Sequence, residues 1–404
     1  MDVTRRTLLR GISAAPLAAA AGGLVLPSTA HAASSEAASE FRVKMRDRPK
    51  RQVGYTYPEA IAGLARALPA APLVAEVLRN ADRKAVVNHR WPAGGKPDRL
   101  KYSFGWDPDT SDGTTPAWYP QGISTSYDAY HGPIPGTNTE PEKRAVLVSW
   151  YGKGMNAWRG ARITFVDVTV PSRPRYRHVL LVEPLKRLGQ PNDFRPVKAH
   201  AGGLAWYGDR LYLADSANGG LRVFNINQMF RVSASGLAAA GYCGYHRGDK
   251  KYYAWGYQYV LPQSRAYDNA GANLRYSQVA VDHTTPQPSL LVNEYFGGGS
   301  TRCIRWNMNS STSSITSEEA VEERSFERAN VQGVVSVNGS YYFSVSKGSN
   351  PGHLYRCPRG SFEKPKKHGK LSIGPEDLSY DGDRNGIWSL GEHPRRRAVY
   401  VVGR

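Results

Sequence analysis

One phrase returns five times along this chain, and it restricts the fold more than any other feature. It joins a polar residue to a small hydrophobic step: Gln121-Gly122-Ile123, Gly202-Gly203-Leu204, Gln278-Val279-Ala280, Gln332-Gly333-Val334 and Glu376-Asp377-Leu378. Each copy leads, after a variable insertion, into an apolar run at 145–151, 210–215, 289–295, 340–347 or 386–392. Third runs follow most of them, at 220–226, 301–308, 353–357 and 396–402. Short strands repeating at about 40–60 residues, with turn residues between them, are the pattern of a β-propeller. The expected fold is all-β, a five-bladed propeller with a small N-terminal helical extension. Six blades result if 241–276 contains a further one. We read 252–261 instead as the fourth strand of the second blade. A sandwich matches the strand number but not the recurring phrase.

The chain divides into three segments. Residues 1–32 carry Arg5-Arg6, an apolar small-residue run to Leu26, and Ala30-His31-Ala32. That is the form of a twin-arginine signal peptide, so the expected location is extracellular. Residues 33–107 read as a basic, mobile arm, two short helices and a closing strand. Tyr57-Pro58-Glu59 opens the helical part, and Pro69 and Pro72 divide it. Residues 108–404 form the propeller. The chain stops just after the third strand of the fifth phrase. Residues 85–87 and 100–106 are therefore expected to supply the last blade's outer strand, since a closed ring leaves no bare edge. No transmembrane span is expected in the exported chain, and a monomer is.

The formal net charge of +19 speaks to anionic partners rather than to fold. No zinc-finger spacing, helix-turn-helix or RNA-binding signature is present, so nucleic acid is not an expected partner. Three cysteines, Cys243, Cys303 and Cys357, leave at least one thiol unpaired. Spacing alone does not decide whether Cys303 and Cys357 pair.

In a propeller, the loop into each first strand and the loop out of each second strand open on one face. The incoming loops bring Gln121, Lys198 and His200, Gln278, Gln332, and Glu376-Asp377. The outgoing loops bring Trp150, Tyr151 and Lys153; Asp215, Ser216 and Asn218; Glu294 and Tyr295; Lys347; and Glu392 and His393. Loops on a rigid scaffold commonly carry function. His200, Glu376 and Asp377 are the catalytic candidates, because imidazole and buried carboxyl groups exchange protons near neutral pH. Adjacent carboxylates alternate in direction, so only one of Glu376 and Asp377 faces the mouth. Gln121, Trp150, Lys153, Lys198, Gln278, Tyr295, Gln332, Lys347 and His393 are the substrate-binding candidates. Asp215, Asn218, Glu294 and Glu376 form an oxygen-rich set suited to a divalent cation such as calcium.

Residues 212–224, Tyr-Leu-Ala-Asp-Ser-Ala-Asn-Gly-Gly-Leu-Arg-Val-Phe, resemble a blade phrase of NHL and SMP-30/gluconolactonase-type propellers. That resemblance implies blade architecture, and in the SMP-30 type a channel ion that polarises an ester or lactone carbonyl. Residues 100–404 resemble a family of secreted actinobacterial propellers. Size, basicity and export signal are also similar to secreted streptomycete phospholipase B, although no Gly-x-Ser-x-Gly elbow is present. The leading expectation is a secreted hydrolase cleaving ester bonds of an amphiphilic or anionic substrate such as a phospholipid. A carbohydrate-active propeller, glycosidase or polysaccharide lyase, is the alternative. Its second carboxylate would be Asp215 or Glu294, set against Glu376. A non-catalytic binder of extracellular polymer is the third reading.

Overall fold

The computed structural model describes residues 38–50, 54–69, 73–87, 89–236, 239, 241–361 and 364–404. The signal-peptide reading of 1–32 falls outside them. Hydrogen bonding traces five four-stranded antiparallel meanders. The first comprises Trp118–Thr125, Ala145–Gly152, Ala161–Asp167 and Arg175–Leu185. The second comprises Leu204–Tyr207, Arg210–Asp215, Gly220–Asn225 and Tyr259–Asn269. The third runs through Gln278–Asp282, Ser289–Asn293, Thr301–Asn309 and Glu322–Phe326. The fourth runs through Val331–Val337, Ser340–Lys347, Asn350–Cys357 and Lys366–Ile373. The last holds Ser379–Asp381, Gly386–Leu390 and Val399–Gly403 and takes its outer strand, Leu100–Gly105, from the N-terminal side. The closure expected from the sequence is therefore present. A short parallel contact between Val260–Pro262 and Leu180–Val182 joins the first two meanders.

The five first strands touch in sequence and close a ring, which makes the architecture a β-propeller. Two of the repeated glycines let these strands approach. A Cβ on Gly122 would stand 2.6 Å from the Leu204 nitrogen, and one on Gly203 would stand 2.3 Å from the Val279 nitrogen. No side chain fits there, so the glycine belongs to the phrase for steric reasons.

One carboxylate fastens the ring. Asp377 Oδ2 accepts from the backbone N–H of Ile123 at 2.9 Å and of Leu204 at 3.1 Å. Its Oδ1 accepts from Gln278 Nε2 at 2.6 Å and from its own neighbour Leu378 at 2.8 Å. Gln278 Nε2 also donates to the Val334 carbonyl at 3.2 Å. All five meanders are thus linked through two fully buried side chains.

A second buried network holds the first meander to the loop before it. Trp150 Nε1 donates to Thr164 Oγ1 at 2.7 Å, and Thr164 Oγ1 lies 2.7 Å from His178 Nδ1. His178 Nε2 reaches Asp112 Oδ2 at 3.1 Å, and Arg162 donates to Asp112 Oδ1 at 2.9 Å. Burial pushes the His178 pKa down to about 3, so the ring is neutral and donates from Nε2.

Two expectations about segments are corrected. The arm is docked rather than mobile over its described part. Val43–Arg46 adds a strand to Tyr259–Asn269, with Ala38, Phe41 and Val43 buried and Arg46 paired to Asp268 at 2.6 Å. The fourth strand of the second meander is Tyr259–Asn269, not 252–261; Lys251–Ala254 instead forms a hairpin with Cys243–His246. The helices, Tyr57–Ala67 and Val74–Arg79, flank the proline break, and the first starts at a Thr56/Glu59 capping box. All three cysteines are free thiols, including Cys303 and Cys357.

Candidate functional site

On the face where incoming and outgoing loops meet, a cavity of about 240 Å³ opens at the end of the ring. Its lining is almost wholly polar. Gln121, His200, Gln332 and Glu376 come from the incoming loops, and Tyr151, Lys153, Ser216, Tyr295 and Glu392 from the outgoing ones. Arg275 and Ser277 complete the wall, with backbone from Gly202.

Glu376 lies at the base, buried, with Gln332 Nε2 3.4 Å from its Oε1. Burial raises its pKa well above the usual carboxylate value, and the nearby Glu392 and Asp377 carboxylates raise it further. The group therefore keeps its proton to unusually high pH. The alternation expected from the sequence is realised: Glu376 faces the mouth and Asp377 turns into the ring. Asp377 is corrected from catalytic candidate to clasp. Burial pushes its pKa up, but four donated hydrogen bonds occupy both oxygens, the pattern of an ionised group.

Glu392 occupies the position in the last meander that Asp215 and Glu294 hold in the second and third. In those meanders an arginine of the next strand takes the carboxylate. Arg222 Nε binds Asp215 Oδ2 at 2.6 Å, and Arg302 Nε binds Glu294 Oε2. The corresponding Arg397 instead binds three carbonyls, of Glu392, Asp112 and Trp118, at 2.7–2.8 Å. Its burial lowers its pKa to about 10. The Glu392 carboxylate is thereby left to the cavity. Its Oε2 accepts from Gln121 Nε2 at 3.0 Å, and its Oε1 lies 3.6 Å from His393 Nδ1.

His200 stands at the mouth, reached by solvent, with its ring 4.4 Å from that of Tyr151. Surrounding protein atoms lower its pKa, and the positive charges of Arg275 and Lys153 lower it further. The next residue, Ala201, holds a left-handed backbone at φ 58°, an unusual state for a residue with a Cβ. Its carbonyl is fixed by Ser149 Oγ at 2.9 Å. This turn aims the imidazole outward.

Of the candidates, Gln121, Lys153, His200, Tyr295, Gln332 and Glu376 meet in this cavity. Others do not. Trp150 is buried in the Thr164–His178–Asp112 network, and Gln278 belongs to the ring clasp. Lys198 lines a separate groove with Arg222 and Arg195, and Lys347 is exposed at a strand end outside the cavity lining. His393 sits behind Glu392 rather than in the wall. The cation set Asp215, Asn218, Glu294 and Glu376 is not assembled. Two of its carboxylates are held by arginines, Asn218 Nδ2 donates to Asp215, and only Glu376 lines the cavity. Among the described residues, no three acidic, histidine or cysteine side chains converge as metal ligands. Arg275 had no sequence signal beyond its place three residues before the third phrase. Glu392 was visible as an outgoing-loop residue, but its freedom depends on where Arg397 points.

No protein-family model matches the chain, and no curated protein matches it in sequence. The resemblance of 212–224 to NHL and SMP-30 blades therefore rests on those residues, which form two strands and their turn. Solved structures include distant likenesses. The Cps50 (Swd1) β-propeller domain of Myceliophteria thermophila is 10% identical over 83% of this chain and 99% of its own, with a TM-score of 0.33. The PQQ-bound aldose sugar dehydrogenase of Streptomyces coelicolor is 11% identical over 78% and 99%, also at 0.33. A thermostable family-43 glycoside hydrolase is 10% identical over 72% and 90%, at 0.31. Similarity at this level says nothing about chemistry.

Proposed function

We propose that the polar cavity cleaves glycosidic bonds, and that the chain acts on a saccharide outside the cell after export through its Arg5-Arg6 leader. The observation carrying this reading is Glu376, a buried carboxyl group whose pKa burial pushes well above the usual carboxylate range, set beside a second carboxylate, Glu392, in an open cavity. Glycoside hydrolysis needs such a division of labour: one protonated acid for the leaving oxygen, one carboxylate for the sugar or the attacking water. Glu376 is assigned the acid role and Glu392 the other. Glu392 thus takes the place that the sequence offered to Asp215 or Glu294. Gln121 and Gln332 orient the two carboxyl groups, and Tyr151 and Tyr295 offer rings and hydroxyls to sugar faces.

The lining also argues against the phospholipid reading. No aliphatic side chain faces the cavity, so an acyl chain has nothing to pack against. The test is product release by purified chain from a panel of oligosaccharides and from phosphatidylcholine vesicles. Release of reducing ends, lost in Glu376→Gln and Glu392→Gln, is the expected result. Fatty-acid release without sugar products would restore the ester hydrolase. Retained saccharide with no product would leave a binder.

A further inference from the structure

The cavity holds two cations with no carboxylate partner. Among the described residues, neither Lys153 nor Arg275 forms an ion pair, whereas Arg222 pairs with Asp215 and Arg302 with Glu294 at the same end of the ring. Lys153 rests its ammonium 4.0 Å above the Tyr119 ring. Both charges act on His200, which places them around one side of the cavity, and both are exposed to incoming ligand. Glu376 lies at the base and Glu392 is held by Gln121, while two further carboxylates at this end of the ring are already taken: Glu294, whose Oε1 accepts from the Arg275 backbone N–H at 2.7 Å, pairs with Arg302, and Asp215 pairs with Arg222. A protein that places two unpaired cations in a concave, solvent-open site leaves their charge available to a ligand.

From this arrangement we infer that Lys153 and Arg275 form an anion subsite, so that the saccharide cleaved carries a carboxylate or sulfate group on the unit bound beside His200. The inference rests on the saccharide reading for the word saccharide, but not for the anion. Arg275 presents the planar fork that pairs with a carboxylate or sulfate, and Lys153 a point charge. His200, whose pKa is lowered by burial and then by its cationic neighbours, donates or accepts a hydrogen bond there without adding charge. A neutral sugar leaves both cations unmatched.

The experiment is calorimetric titration of the full chain with three probes: a galacturonic acid hexamer, a sulfated galactose hexamer and the unsubstituted galactose hexamer. Binding of at least one charged probe should exceed that of the neutral one by tenfold or more. Lys153→Ala and Arg275→Ala should each weaken the charged probe by roughly tenfold and leave the neutral one within about twofold. The uronate and sulfate arms identify the anion. Equal binding of all three probes, or charged binding indifferent to both variants, overturns the subsite. Glu376→Gln separates the two readings. Charge-selective binding with no cleavage by the native chain would keep the subsite and remove the hydrolase. Cleavage of the neutral hexamer without charge preference would do the reverse.

Discussion

Replacing Asp377 with asparagine should loosen the ring rather than disable the cavity. The carboxylate accepts four hydrogen bonds, three of them from outside its own residue pair. An asparagine keeps one acceptor oxygen. If that oxygen serves Ile123 and Leu204, the new NH₂ faces the Gln278 and Leu378 donors, and two bonds become donor-against-donor contacts. Gln278 has one escape, because its Oε1 is buried without a partner and would accept from the new amide after a flip. The flip withdraws Nε2 from the Val334 carbonyl, so a bond is still lost. One or two buried bonds to a charged acceptor, at roughly 1.5–3 kcal/mol each, give a loss of about 1.5–6 kcal/mol. Urea unfolding followed by tryptophan fluorescence reads it, with turnover measured below the transition. A loss under about 1 kcal/mol, or lost turnover at native stability, would refute the clasp and return Asp377 to the chemistry.

Three further outcomes follow from the same geometry. Glu376 binds its proton more tightly folded than unfolded, so the native state holds more protons above the unfolded value near 4.5, and stability falls as pH rises from there to the folded pKa. Glu376→Gln removes that loss; melting curves should match native protein near pH 4 and exceed it increasingly toward neutrality, and a constant offset would contradict the assignment. Arg222→Ala leaves the Asp215 carboxylate buried and unpaired, which should cost about 3 kcal/mol in urea while turnover changes little. Phe41→Ala should cost about 3 kcal/mol and speed amide exchange in 266–269, because Phe41 anchors the added edge strand; unchanged exchange would mean the arm is not docked in solution.

Much of the architecture was legible because it rests on local repetition. The phrase glycines mark where strands converge, and the outer strand expected from 100–106 is the one that Leu100–Gly105 supplies to the last meander. The face rule was legible for the same reason, and six of the candidate residues meet in one cavity. The rest depends on contacts between residues far apart in sequence. Whether a carboxylate at the end of a second strand is free turns on one arginine's direction, as Arg222 and Arg302 differ from Arg397. Trp150 and Gln278 look like site residues in sequence, yet Thr164 and Asp377 claim their polar atoms. The docked arm was hidden by its charge, because Ala38, Phe41 and Val43 enter the core from among polar neighbours.

The role of Glu376 is tested most directly by the leaving group. An acid that protonates the departing oxygen is needed for a sugar leaving group and dispensable for a dinitrophenolate, which departs unaided. The measurement is kcat/KM of native chain and Glu376→Gln on an oligosaccharide and on the matching dinitrophenyl glycoside. The account predicts a loss of about 100-fold or more on the oligosaccharide and less than about tenfold on the aryl glycoside. Equal losses on both, or no loss on either, would contradict it.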